Sequence, residues 1–242
     1  LETGIMSLGR VYDFGPVFRA ERSKTRKHLT EFWMMDAEAA YVEHDENMAI
    51  QEGLIRHVIR TVLAKCAHEL DVLERDKEAL KAADAPFKKM THYDAIEYLR
   101  AKGSEIDHDS DLGAADEVML TEGSPVPIFI EKWPKGIKAF YMKRDAENPD
   151  VVLGSDLIAP EGFGEIIGGS QREDDYDLLL SRMQAEEMPI EDYQWYLDLR
   201  KYGSVPHSGF GIGLERLVTW MSGIHHIRET IPFPRMIYRI YP

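Results

Sequence analysis

Only one cysteine, Cys66, occurs in the 242 residues. That excludes an internal disulfide and a CxxC metal knuckle, and it fits a reducing, cytoplasmic setting. No apolar run approaches the roughly 18 residues of a membrane span, and no signal-peptide pattern opens the chain, so a membrane role is not expected. Positive charge is scarce too: 29 Lys and Arg stand against 43 Asp and Glu, a formal net charge of −14. Such a balance argues against broad, nonspecific binding to DNA or other nucleic acid, though not against a local basic patch. His207, His225 and His226, in PHSG and IHHIR, lack metal-ligand spacing, so zinc is not expected. No lysine P-loop, kinase signature or Ser-His-Asp pattern is present.

What is there is an ordinary globular composition, 44% apolar and 30% charged, on a chain long enough to bury a real core. Residues 10–18 and 29–42 mix β-branched and aromatic residues and read as two strands around a loop. Apolar positions at 50, 54, 55, 58, 59, 62, 63, 66 and 70 predict one helix over 46–74, with Cys66 on its apolar face as a small core residue. Residues 75–90 read as a polar linker, 92–103 as a short helix stopped by Gly103, and 104–124 as acidic and irregular. Residues 126–131, 137–142, 151–158 and 162–170 read as strands, and 173–187 and 190–201 as helices. PHSGFGIGLERLVTWMSGI passes from a glycine-rich strand into a helix. The class expected is α+β, a mostly antiparallel sheet flanked by helices.

Three stretches carry candidate chemistry. FRAERSKTRKHLTEFW packs Arg19, Arg22, Lys24, Arg26 and Lys27 with His28 into a loop of an acidic protein. It is either a solvated hairpin tip or a loop closing on polyphosphate, which arginine grips at two points; Phe32 or Trp33 on the return strand suits a stacked base. GSDLIAPEGFGEIIGGSQR sets Asp156 and Glu165 around a turn. If these are adjacent strands, both carboxylates can serve a magnesium ion shared with phosphates, and Arg172 can recognise a polar or anionic small molecule; a glycine-rich bend with surface charges is the plainer reading. In GFGIGLERL the glycines at 209, 211 and 213 share one strand face, unlike a dinucleotide fingerprint. That flat face can receive a nucleotide with Arg216 beside it, or it serves tight strand–helix packing. Together they supply the parts of an ATP site, and attack of a carboxylate on the α-phosphate needs positioning and charge neutralisation rather than a protein base.

FRAERSKTRKHLTEFW resembles the second signature motif of the class II aminoacyl-tRNA synthetases, and GFGIGLERL the third. APEGFGEIIGGSQR, WYLDLRKYGSVPHSGFGIGLERL and RETIPFPR are similar to the asparaginyl branch of the aspartyl/asparaginyl/lysyl subgroup, and the likeness runs through nearly the whole chain. The resemblance implies a class II synthetase-type antiparallel sheet over residues 1–242, with residues 75–125 a helical or irregular insertion. It implies ATP and Mg2+ as cofactors, asparagine and the acceptor end of tRNA(Asn) as partners, a homodimer at full length, and a role in protein synthesis. Arg19 would hold the α-phosphate and the amino-acid carboxylate, and Glu21 would seat the adenine end. Arg26 and His28 would meet the outer phosphates, Phe32 and Arg216 would sandwich adenine, and Gly213 would lie by the nucleotide. Asp156 and Glu165 would bind magnesium, while Asp36, Arg172 and Gly209 would line the amino-acid end.

Two departures qualify the likeness. The chain opens mid-pattern, without an initiator methionine, and reads as a fragment: the family's anticodon-binding barrel, its dimer-forming helix and strand and a Ser/Gly/Gln segment would all precede Leu1. These residues alone are therefore expected to dimerise poorly and bind tRNA weakly. Asp36 stands where asparaginyl enzymes usually carry glutamate and aspartyl enzymes often aspartate. The alternatives are an aspartyl-type synthetase, a tRNA-independent asparagine synthetase using aspartate, ATP and ammonia, and a non-enzymatic binding module; the intact set of site residues weighs against the last.

Overall fold

Alternating side chains build the first hairpin: β1 (Arg10–Phe18) pairs antiparallel with β2 (Glu31–Ala40). The structure, a computed structural model, describes residues 1–20 and 25–241. Five more strands, β3 (Lys88–Thr91), β4 (Ile128–Pro134), β5 (Val151–Ala159), β6 (Gly164–Gln171) and β7 (His207–Gly213), extend the sheet in the order β1-β2-β7-β6-β5-β4-β3. Every pairing is antiparallel except β3 with β4. This is the expected α+β class.

The helices among the described residues are α1 (Glu2–Leu8), α2 (His44–Lys65), α3 (Ala67–Val72), α4 (Lys77–Ala82), α5 (His92–Ala101), α6 (Ala114–Thr121), α7 (Tyr176–Ala185), α8 (Gln194–Lys201) and α9 (Leu214–Ser222). One stripe of α2 buries Met48, Ile55 and Ile59 against Phe129, Leu157, Ile167, Phe210 and Ile212 on the back of the sheet. Each such side chain contributes roughly 1.5–3 kcal/mol on burial. Trp220 and Met221 of α9 join that core, and α9 stops at Gly223, left-handed at φ 75°. On the front, Ala95, Ile96 and Leu99 of α5 and Leu120 of α6 pack on Ile128, Ile130 and Ile158. They cover the β4–β5 half of that face. The β2–β7–β6 half lines a cleft of about 630 Å³.

Four expectations need correction. The long helix breaks at Cys66, which is the half-exposed joint between α2 and α3 rather than a core residue. Residues 75–90 are no linker: Asp76 caps α4 through the Glu78 and Ala79 amides, and β3 joins the sheet. Residues 104–124 include α6. Residues 137–142 form no strand, because the alternating apolar groups there go elsewhere. Phe140 packs on Tyr141, Tyr193 and Tyr196, in and beside the α7–α8 cluster, while Met142 makes an isolated bridge to Arg172.

Candidate active site

The period of two along each strand decides which side chains meet in the cleft. One row runs across four strands: Asp36 pairs with Gly211, Gly211 with Gly168, and Gly168 with Asp156. Two carboxylates therefore stand three strand spacings apart, about 14 Å, over a floor of two glycines. The next row is Glu38, Gly209, Ser170 and Gly154. Along β2, Phe32, Met34, Asp36 and Glu38 share the cleft face, so Phe32 and Glu38 mark ends about 20 Å apart.

At the Phe32 end, the ladder continues past β1 through the Arg19 amide to the Thr30 carbonyl, and the Arg19 guanidinium sits 5.3 Å over the Phe32 ring. Arg216, in the first turn of α9, donates to the Glu165 carbonyl at 3.1 Å and to its Oε2 at 3.2 Å. Gly213 lies beside it, and Glu215 accepts the Trp33 amide through both oxygens, 3.1 and 3.0 Å; burial raises its carboxyl. His28 lines the cleft and hydrogen-bonds Thr25. Lys27 also lines it, tied to Glu117 of α6 at 2.7 Å, while Arg26 lies in an adjoining hollow of about 190 Å³. Glu21, with Arg22 and Lys24, falls outside the described residues.

Midway, Asp156 and Glu165 converge through a β-bulge. A regular ladder that pairs Asp156 with Gly168 would set Glu165 opposite Ala159, on the back face. Instead the register shifts at Leu157/Ile158 and Glu165 pairs with Ile158, on the front. A methyl group built on Gly168 would lie 3.3 Å from Glu165 Oε1 and 3.7 Å from Asp156 Oδ1, so these two oxygens aim at one spot. Asp156 Oδ2 is held by Lys138 at 2.7 Å. Burial, aided by the neighbouring Glu165 charge, pushes the Asp156 carboxyl up to about 7 against the pull of Lys138. Two hard oxygen donors over an open glycine fit a magnesium ion that takes its other ligands from water and phosphate. Among the described residues no group of three or more His, Cys, Asp and Glu forms a metal cage.

At the other end, Glu38, only 5% exposed, takes the Arg172 Nε and NH2 donors at 3.0 Å each, and Ser170 Oγ accepts from NH1 at 2.6 Å. Burial opposes the Arg172 charge, but Glu38 holds its pKa above the ordinary value. Asp36 lies beside this pair, its carboxyl raised by burial and by Asp13 across the ladder. Gly209 itself is covered: a methyl group there would collide with Glu38 Oε2. Below it, Asn47 of α2 donates to the Gly209 carbonyl at 3.2 Å. Glu2, also lining the cleft, accepts from Tyr196 and Arg200 at 2.6 Å and from His207 at 2.8 Å. Burial alone would raise its carboxyl, but these partners bring it down to about 2.

The structure thus gathers Arg19, His28, Phe32, Asp36, Asp156, Glu165, Arg172, Gly213 and Arg216 around one cleft. Glu38, Ser170, Lys138 and Glu2 were not singled out in the sequence. Glu38 had a signal, the same strand parity as Asp36; the other three needed tertiary contacts.

Residues 1–237 match the family described as tRNA synthetases class II (D, K and N). The asparagine–tRNA ligase of Pelotomaculum thermopropionicum is 55% identical over 241 residues, which is all of this chain and 56% of that protein. The crystal structure of asparaginyl-tRNA synthetase from Pyrococcus horikoshii, complexed with asparaginyl-adenylate, superposes with a TM-score of 0.97 at 48% identity, covering 100% of this chain and 56% of that one. The asparaginyl-tRNA synthetase of Entamoeba histolytica in complex with asparaginyl-adenylate gives a TM-score of 0.93 at 36% identity, again over 100% and 56%. The chain thus spans just over half the length of these relatives.

Proposed function

Because the chain belongs to the class II tRNA synthetases (D, K and N), we propose that residues 1–242 form the catalytic domain of an asparagine–tRNA ligase. It activates asparagine with ATP and passes it to the acceptor end of tRNA(Asn), in cytoplasmic protein synthesis. The observation that carries this reading is the row Asp36–Gly211–Gly168–Asp156, with Arg19 and Phe32 at one end and Arg172 at the other. It is a flat-floored slot for a flat base, a phosphate chain and a small polar side chain in line.

An oxygen of the asparagine α-carboxylate attacks the α-phosphorus of ATP; the new P–O bond forms as the bond to pyrophosphate breaks. Arg19 bridges carboxylate and α-phosphate, holding two anions together and stabilising charge as it builds. Phe32 and Arg216 sandwich adenine, and Arg26 and His28 meet the leaving phosphates. Asp156 and Glu165 would hold magnesium, which when bound offsets phosphate charge. Asp36 and Arg172 receive the amino-acid amine and side chain. A ribose hydroxyl at the tRNA 3′ end then displaces AMP from the asparaginyl-adenylate. The exposed aromatics Tyr12, Phe14 and Phe18 on β1, an edge strand, suit a face that a homodimer covers.

Charging of tRNA(Asn) with labelled asparagine tests this at the protein's natural length. Free asparagine made from aspartate, ATP and ammonia without tRNA would replace this reading with the synthetase paralogue; charging by aspartate would replace it with the aspartyl one.

A further inference from the structure

The segment after β4, which forms no strand, is held by one buried arginine. Arg182 of α7, 8% exposed, donates through NH2 to the Lys135 and Lys138 carbonyls at 2.8 and 2.7 Å, and through NH1 to the Met142 carbonyl at 3.2 Å. That clamp sets the Lys138 backbone, and the side chain is set as well. Its ammonium lies 3.7 Å from the centre of the Trp133 ring, 2.7 Å from Asp156 Oδ2 and 3.7 Å from Asp111 Oδ1. Trp133 is itself fixed, buried with its indole N–H donating to the Ile130 carbonyl at 2.9 Å. A flexible aliphatic stem thus ends in a cation of fixed position. The Asp156 oxygen that a methyl group on Gly168 would meet is the other one, Oδ1, together with Glu165 Oε1. The two oxygens of this carboxylate therefore have separate places: Oδ2 on Lys138, Oδ1 toward the cleft.

Resting on the magnesium reading above, we propose that Lys138 is the positioning residue for Asp156: it takes Oδ2 and so presents Oδ1 alone, with Glu165, to the ion. The torsion that turns an aspartate carboxylate is broad, so the backbone does not choose which oxygen faces the cleft. A partner on one oxygen does. Losing a group that orients a metal ligand in this way typically costs about 10–100-fold in metal affinity. A cation this close also repels a metal ion, and the two effects oppose each other. Orientation predicts weaker metal binding without the Lys138 ammonium; repulsion predicts tighter binding.

The test is calorimetric titration with ATP, without amino acid, in magnesium and again in EDTA, on the protein at its natural length. The ratio of the two affinities reads the metal's contribution apart from the rest of the ATP site. Lys138→Met keeps an apolar stem on Trp133 and removes the charge; Lys138→Arg keeps the charge and its donors. Expected is a fall in the ratio of about tenfold in Lys138→Met, the lower end of that range, and a ratio near wild type in Lys138→Arg. A merely structural Lys138 would weaken ATP binding equally in both media, and an unchanged ratio in Lys138→Met overturns the proposal. So does a larger ratio, the mark of a cation that only repels. If Lys138→Met does not fold, a crystal structure of the wild-type protein with manganese and ATP decides. Asp156 must then ligate through Oδ1 with Oδ2 still on Lys138; ligation through both oxygens, or through Oδ2, overturns the proposal. A wild-type ratio of one refutes the magnesium reading instead, so the two failures are distinct.

Discussion

Gly168→Ala separates stability from chemistry, because the new methyl enters the spot where two carboxylate oxygens converge. In a strand interior, alanine is favoured over glycine by roughly 0.5–1 kcal/mol, since glycine loses more conformational freedom on folding. Against that stands a contact of 3.3 Å to Glu165 Oε1, the far end of a side chain only partly held by Arg216, and an ordinary one of 3.7 Å to Asp156 Oδ1. The carboxylate can give by a few tenths of an ångström, so the variant should melt within about 1 kcal/mol of wild type. Its chemistry should not survive. The methyl occupies the volume a metal ion or phosphate oxygen would fill, and misplacement by about 1 Å costs on the order of a hundredfold. Amino-acid-dependent exchange should therefore fall at least that far, with a higher magnesium requirement, while urea unfolding stays near wild type. Full exchange at the wild-type magnesium concentration would refute the convergence of Asp156 and Glu165 on this point.

Other consequences follow from the same geometry. Arg19→Ala, at an exposed position, should lower adenylate formation by roughly 10²–10³-fold, the worth of one charge-stabilising donor, with an unchanged melting curve; normal turnover would remove Arg19 from the chemistry. Glu2 is held at about 2 against an ordinary 4.5, so its contribution, on the order of 3 kcal/mol, is fully present above about pH 4.5. It is lost as pH falls through 2. Glu2→Gln should be destabilised near neutrality and lack that part of the acid-induced loss; identical pH profiles in urea melts would contradict the network. Burial pushes the Asp156 carboxyl up to about 7, so acidification protonates a group that would hold magnesium. The magnesium concentration for half-maximal exchange should then climb toward tenfold per pH unit, and a flat requirement between pH 5.5 and 8, a range of about 2.5 units spanning that value, would exclude this.

The strand parity of the site was legible early. Once β1, β2 and β7 are read as strands, Arg19, Phe32 and Asp36 fall on one face and the glycines at 209, 211 and 213 on a matching one. The bulge at Leu157/Ile158 was not legible. The nine-residue spacing of Asp156 and Glu165 suggested a shared pocket, but only the extra residue in β6 turns Glu165 forward, and no composition signal marks it. Residues 137–142 alternate like a strand, yet their aromatic rings find the α7–α8 cluster, so packing overrides pattern. The break at Cys66 escaped for the opposite reason: apolar periodicity continues across it while the backbone does not. Lys138 and Glu2 matter through partners 18 and about 200 residues away in the chain, which a linear reading does not bring together.

The most direct test of the account is exchange of labelled pyrophosphate into ATP, with asparagine and with aspartate, at the protein's natural length. The account predicts exchange that depends on asparagine and stays near background with aspartate. Exchange driven by aspartate, or by neither amino acid, would contradict it.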